Sequence, residues 1–343
     1  MSKLNNLAAI FKHFAEHECK GSSALYYDLS NRIAEDPCLL EIAAQTRVGQ
    51  PVPNLFLAAV KYCLQDAAPN ELQPYYDGDL IEDESNCYQA FKDFIQEHTD
   101  QIVSLLRVRR VQTNEVNRSV YLYPVLSQLA HSRPDHPMHL IELGAAAGLN
   151  LCCDKYAYEV GSLKFGDRSS SLKLTSDFRN DYPYGQIGGN LPISKRVAID
   201  LNILDLETQQ DRRWMRALIW PEHRARADRF DRALEITRAC DIDYLEGNAV
   251  ALLRDCIERV DKDASLCVFH THMANQMHHA EREALVALID GVGRDRDICH
   301  LFNNIDAADL QLVTFRDKTR RHVVVAQTEG HGRWVKWSGK PLT

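Results

Sequence analysis

Hydrophobic positions in the first third of the chain recur at helical spacing, and farther on they gather into short runs between turn residues. Leu7, Ile10, Phe11 and Phe14 lie three or four apart, as do Leu25, Leu29 and Ile33, then Leu55, Ala59, Tyr62 and Cys63, then Phe91, Phe94, Ile95, Ile102 and Leu105. Such spacing puts apolar side chains on one face of successive helices. Breaks fall at Gly21, Pro37, the Gly49–Pro53 segment and the acidic stretch from Pro74 to Glu84, where glycine and proline interrupt a helix. The pattern predicts a helical N-terminal domain or cap over residues 1–126.

From residue 127 onward the period changes. Leu140–Leu143, Arg196–Asp200, Ile242–Glu246, Ser265–His270 and Asp297–Phe302 are short apolar runs separated by helical patterns: Asp211 to Arg224, then on to Ala239, Val250 to Arg259 and Ala280 to Ile289. Strand and helix in alternation predict a mostly parallel sheet. Leu310–Phe315 and His322–Gln327 flank a charged turn and read as a closing antiparallel hairpin, with Arg333–Trp337 as a last edge strand. The segment at about 159–193 is rich in Ser, Gly, Asp and Asn and reads as an inserted excursion in the second domain, 127–343.

Composition narrows the class. A chain of 343 residues, 45% hydrophobic, buries a large core. No apolar run reaches the length of a membrane span, and the first fourteen residues lack a signal-peptide core, so the expectation is a cytoplasmic protein. Ten cysteines without a C-x-x-C pair read as small core residues, not as zinc ligands or a redox pair. A formal charge of -8 argues for a small-molecule partner over a nucleic acid. No oligomeric state follows from the sequence.

Chemistry concentrates at Leu140-Ile141-Glu142-Leu143-Gly144-Ala145-Ala146-Ala147-Gly148-Leu149-Asn150. An apolar run ends in an acid, a loop of small residues follows, and Leu149 to Tyr156 can be helical. Small residues let a ligand lie against the main chain, and the first amides of a helix face it. The glycine spacing of a dinucleotide fingerprint and the Gly-Lys-Ser/Thr of a P-loop are both missing. What is present, E-x-G-x-(G/A)-x-G, resembles the first motif of S-adenosylmethionine-dependent methyltransferases of the Rossmann-like class. That resemblance implies that Glu142 holds the cofactor's amino-acid end, with Gly144, Ala146, Gly148 and Asn150 beneath its sulfonium and ribose. It also implies a sheet of seven strands, mostly parallel with an antiparallel C-terminal hairpin. Asp200 is then the positional match for the ribose acid, and Asn248 with the Ala249 backbone for the adenine contact.

Two further features bear on catalysis. His270, at the end of a buried run, is expected at the carboxyl edge of the sheet beside Gly144, where an imidazole can serve as a base. Glu222 and His223, adjacent after Pro221, read as an orienting or substrate-binding pair. ELGAAAGLN at 142–150, RVAIDLNILDL at 196–206, RRWMRALIWPEH at 212–223 and the later EGNA and VFHTH segments look like the family called domain of unknown function 2332. The leading expectation is methyl transfer from S-adenosylmethionine to an oxygen or nitrogen nucleophile. A non-catalytic cofactor- or partner-binding protein is the alternative. Metal-dependent hydrolysis stands behind both, since His270, His272, His278 and His279 lack an H-E-x-x-H framework and no metal site is expected.

Overall fold

A computed structural model describes residues 3–78, 84–113, 115–185, 187–188 and 191–342. The chain forms two compact units, a helical one of Met1–Thr113 with Thr208–Asp228 and an α/β one of Asn114–Glu207 with Arg229–Thr343. The division therefore falls at 113, not at the 126 read from the sequence. The segment carrying Glu222 and His223 joins the helical unit.

In chain order the helical unit opens with α1 (Lys3–Phe14), α2 (Ala24–Ile33), α3 (Pro37–Ala43), α4 (Val52–Leu64), α5 (Gln73–Asp77), α6 (Glu84–Glu97) and α7 (Thr99–Val108). Their starts are coded locally. Ser23 accepts from Tyr26 N at the head of α2, and Asp36 accepts from Cys38 N and Leu39 N at the head of α3, with Pro37 in the first turn. Side-chain oxygens there satisfy amides that have no partner inside the helix.

The α/β unit begins with α8 (Ser119–His131), whose residues from Ser119 to Ser127 are all buried, and continues through β1 (Met138–Leu143), β2 (Ala157–Val160), β3 (Leu163–Gly166), β4 (Lys173–Thr175), β5 (Asp177–Phe178) and β6 (Ile193–Asp200). Next, α9 (Gln209–Ala217) belongs to the helical unit. Trp214 is fully buried there, its ring 6.0 Å from that of Tyr62 and its Nε1 donating to Arg110 O at 2.9 Å. That packing explains why 208–228 leaves the α/β unit. The chain then runs through α10 (Arg224–Arg238), β7 (Asp243–Glu246), α11 (Ala249–Glu258), β8 (Ser265–His270), α12 (His279–Gly293), β9 (Ile298–Phe302), β10 (Leu310–Arg316), β11 (Thr319–Thr328) and β12 (Trp334–Trp337).

Among the described residues the main sheet has nine strands in the order β5-β12-β11-β10-β9-β8-β1-β6-β7, and β3-β2-β4 form a small second sheet. Strands β9, β8, β1, β6 and β7 run parallel, while β10, β11 and β12 alternate in direction. The seven strands that the resemblance implies are joined by β12, the strand read at Arg333–Trp337, which pairs with β11, and by β5, from the inserted segment, which pairs with β12. Arg333–Trp337 is thus not the edge.

The β10–β11 turn carries Asp317 at φ 47° and Lys318 at φ 64°, the left-handed pair that a two-residue hairpin requires. No described helix is long and apolar enough to cross a membrane.

Strand alternation sorts β1 into two faces. Ile141 and Leu143 join Val197, Ile199, Leu266 and Val268 in a core shared with Leu253, Ile257, Leu285 and Ile289 of α11 and α12. Leu140 and Glu142 point the other way. Glu142 lies in register with Ala198 on one side and Phe269 on the other.

A candidate ligand site at the carboxyl edge of the parallel strands

The chain leaves β1 to build β6 and β7 on one side and returns to place β8 on the other. At such a reversal the loops after neighbouring strands diverge and leave a crevice at their carboxyl ends, where open α/β sheets bind ligands. Three loops meet there: 144–148 after β1, 271–274 after β8 and 303–304 after β9. All three contain left-handed backbone. Gly144 has φ 71°, Ala146 φ 50°, Gly148 φ 75°, His272 φ 55° and Asn304 φ 62°. For alanine and histidine this conformation is costly, and it persists where surrounding contacts impose it, a pattern concentrated at functional sites.

The contacts that impose it can be named. Gly144 N donates to Ile199 O at 2.8 Å, extending the β1–β6 ladder past the strand. Ala146 N donates to Asp200 Oδ2 at 2.8 Å and Ala146 O accepts from Leu204 N at 3.1 Å. In the next loops, His272 N donates to Asn303 Oδ1 at 2.7 Å, and Asn304 Nδ2 donates to the same oxygen at 3.1 Å. Asn303 is fully buried, so its amide acts as an internal brace.

Glu142 stands at the base of this arrangement. It is 3% exposed; Oε1 accepts from Asn150 Nδ2 at 3.4 Å, while Oε2 has no hydrogen-bond partner. Burial pushes its carboxyl up to about 8, against the downward pull of the Asn150 bond and the nearby Arg118 guanidinium. Asn150 is held in turn by Ser119, whose hydroxyl donates to its Oδ1 at 3.1 Å. Arg118, 7% exposed, donates from Nε to Gly330 O at 2.9 Å and from Nη1 to Thr271 Oγ1 at 3.2 Å. The result is a buried polar layer of Glu142, Asn150, Ser119, Arg118 and Thr271 joining β1, the start of α8 and the end of β8.

The sequence-based site residues meet different fates. Glu142, Gly144, Ala146, Gly148 and Asn150 lie on β1 and the loop and turn after it, with Glu142 and Asn150 in hydrogen-bond contact. However, Leu149–Lys155 is a 3₁₀ stretch, not an α-helix, with Cys152 off helical angles. The Gly144 surface is also covered, since a Cβ added there would sit 2.5 Å from Met273 Cγ.

Asp200 is at the edge, with each of its oxygens already holding a backbone amide. Its Oδ2 holds Ala146 N and its Oδ1 accepts from Asn202 N at 3.0 Å. Asn248 caps α11, Oδ1 accepting from Val250 N and Ala251 N, with Ala249 as the first helical residue. A strand-end Asp or Asn readily serves nearby amides in this way.

His270 requires a correction. It is the last residue of β8, fully buried, and paired in register with Phe302. By alternation it shares the face of Val268 and lies opposite Glu142. Its ring packs 5.1 Å from His300 and 5.8 Å from Phe302, neither nitrogen has a hydrogen-bond partner, and burial pushes it down to about 3. A ring so enclosed does not act as a base on a ligand at the edge. The chain reaches the edge only at Thr271 and His272.

Glu222 and His223 also differ from expectation. Both belong to the helical unit, where Glu222 accepts from Ser23 Oγ at 2.7 Å and from Leu25 N at 2.9 Å, and His223 stacks on Trp220 at 5.3 Å. Glu222 thus secures the start of α2. Among the described residues no three His, Cys, Asp or Glu side chains gather as a metal site.

Residues 8–337 match the family model described as an uncharacterized protein conserved in bacteria, DUF2332. The chain belongs to this family. No curated protein and no solved structure matches it. Within this DUF2332 chain, the functional candidates that sequence reasoning passed over are Ser119, Thr271, Asn303 and Asn304, while His272 was weighed only as one of a histidine cluster. The Asn-Asn pair directly after a predicted strand was the available signal, because asparagine tolerates left-handed backbone and braces loops.

Proposed function

We propose that this protein binds S-adenosylmethionine at the carboxyl edge of β1, β6 and β8 and acts as a methyltransferase on an oxygen or nitrogen nucleophile. The observation that carries the reading is the buried Glu142 carboxyl, with one unpartnered oxygen directly before a loop of small residues at a sheet reversal. An uncompensated buried acid is costly, and an ammonium group such as that of the cofactor's amino-acid end would compensate it. The residues fit this group in part. Glu142 and Asn150 would hold the ammonium, Arg118 the carboxylate, and the Gly144–Gly148 backbone would lie along the rest. Asp200 and Asn248, occupied with backbone amides, would serve by shaping the loops.

When bound, the cofactor supplies an electrophilic methyl group on a sulfonium. The protein's own contribution would be alignment and exclusion of water. Ionisation of Glu142 would accompany the arrival of the ammonium and release a proton.

A second reading, cofactor or partner binding without transfer, is favoured by the enclosure of His270, which leaves transfer without its expected base. Calorimetry with S-adenosylmethionine, S-adenosylhomocysteine and NAD separates these readings from their failure. The first two compounds should bind one per chain and lose affinity in Glu142→Gln. Absence of binding by either, in folded protein, overturns the cofactor reading. Binding without methyl transfer to a broad panel of small nucleophiles favours the second.

A further inference from the structure

We infer that the helical unit carries a ligand site of its own, a cavity that takes a small organic oxyanion. It does not depend on the reading of the α/β unit, because every lining residue lies within 1–113 or 208–228. The cavity measures about 400 Å³ and is walled by α4, α5, the end of α9 and the start of α10. That is within the size range of small-molecule sites.

Its chemistry is donor-rich. Lys61, Arg216 and Arg224 bring three cations to the walls, against the two acids Asp77 and Asp228. Asp77 is already engaged by the Gln73 amide, at 3.0 Å to each oxygen. A neutral donor adds to the set. Gln65 Nε2 is buried and makes no hydrogen bond, and Tyr76, 6% exposed, lies on the wall with its ring 6.2 Å from that of Tyr26. A buried donor without an acceptor is uncommon and calls for an explanation, and a bound oxyanion supplies one. Guanidinium forks and an ammonium suit a carboxylate or a phosphate ester alike.

The walls are built to stay in place. Trp220 is fixed by Phe14 at 5.7 Å, Tyr26 at 5.8 Å and the stacked His223 ring at 5.3 Å. Lys61 Nζ donates to Ile219 O, just before Trp220. The Arg224 guanidinium rests against Gly78, which ends α5 at φ 74°, and a Cβ there would lie 2.6 Å from Nη2. Glycine at 78 lets the guanidinium close over the cavity. The Glu222-His223 pair thereby gains a role as part of the frame behind Trp220.

The test is calorimetry on the full chain with inorganic phosphate, phenyl phosphate and benzoate as probes. At least one should bind saturably, one per chain, with affinity falling as salt rises. Arg216→Gln and Arg224→Gln should each weaken that binding about tenfold or more while the thermal midpoint without ligand stays put. Gly78→Ala should weaken it too by displacing the Arg224 guanidinium with every charge retained. Binding of benzoate alone or of phenyl phosphate alone identifies the group and supports the site. Arg224 is exposed, so its variant keeps the test open should Arg216→Gln fail to fold. No saturable binding of any probe up to about 10 mM, or binding untouched by all three substitutions, overturns the inference.

Discussion

Glutamine in place of Glu142 should make the α/β unit more stable above neutral pH, and the size of the effect follows from the burial of the acid. The carboxyl has moved from an ordinary value near 4.5 to about 8 because burial disfavours its charged form, with the Asn150 hydrogen bond and Arg118 only partly offsetting it. In the unfolded chain Glu142 ionises near pH 4.5, while in the folded chain it keeps its proton until about pH 8. The folded state thus binds the proton more tightly. The stability this confers is full below pH 4.5 and is lost progressively as pH rises through 8. At about 1.4 kcal/mol per pH unit, the loss across that window is on the order of 4–5 kcal/mol.

Glu142→Gln keeps the shape and the acceptor for Asn150 Nδ2 but cannot ionise. Wild type minus variant stability should be near its maximum at pH 5 and fall by several kcal/mol by pH 9. Urea denaturation at a series of pH values, with hydrogen exchange on β1 and β8 peptides reporting the α/β unit, measures the difference directly. Parallel curves for the two proteins would refute the claim that Glu142 is a buried, protonated acid. The same variant should lose S-adenosylmethionine, so stability gained and ligand lost together would mark an acid kept for binding.

Three further outcomes are expected. Gly144→Val should destabilise the fold and abolish ligand binding, since φ 71° is closed to a β-branched residue and the added carbon meets Met273 Cβ at 2.7 Å; normal calorimetric affinity in folded protein would contradict it. Asn303→Ala should cost about 1–3 kcal/mol by leaving His272 N without its acceptor and should raise hydrogen exchange at residues 271–274, with unchanged exchange there counting against the brace. His270→Phe should reduce loss of stability in acid. His270 titrates near 6.5 when unfolded and about 3 when folded, so its contribution is present above 6.5 and lost as pH falls toward 3; an acid limb identical to wild type would show that His270 is not a buried neutral ring.

The parallel strands were legible because each is a short apolar run in a helix-strand alternation, and β8 begins and ends where the pattern put it. Glu142 and Asn150 were legible as a candidate site because the small residues between them allow the left-handed backbone of a tight turn and leave the main chain bare. His270 was not, for a reason inherent in buried parallel strands. All six residues of β8 are buried, so the change from apolar to polar that marks a strand's exit in a half-exposed sheet is missing. The membership of 208–228 was hidden because an amphipathic helix advertises its apolar face without naming its partner. Two residues suffice for β5, too few for any period. Asp200 and Asn248 sit where ligand-binding residues would sit, yet strand ends and helix starts offer bare amides that take up the same oxygens first.

The acid and the imidazole at this end of the sheet are both buried and both neutral, and they pull the pH response in opposite directions. Glu142 is in register with Phe269, the neighbour of His270, but the two side chains leave opposite faces. The only cause of the His270 depression is burial, and the charges that act on Glu142 are those of Arg118 and Asp200. Neither group relieves the other. Between about pH 4.5 and 6.5 the loss from Glu142 and the gain from His270 therefore run in opposite directions with comparable slopes. These two contributions should nearly cancel there, so that the other buried imidazoles, His139, His272 and His300, which burial also holds below 6.5, set the slope and wild-type stability rises with pH across the window. Additivity then follows: the double variant Glu142→Gln, His270→Phe should show the sum of the two single pH profiles. A profile departing from that sum by more than about 1 kcal/mol would mean that the two protons communicate across the sheet.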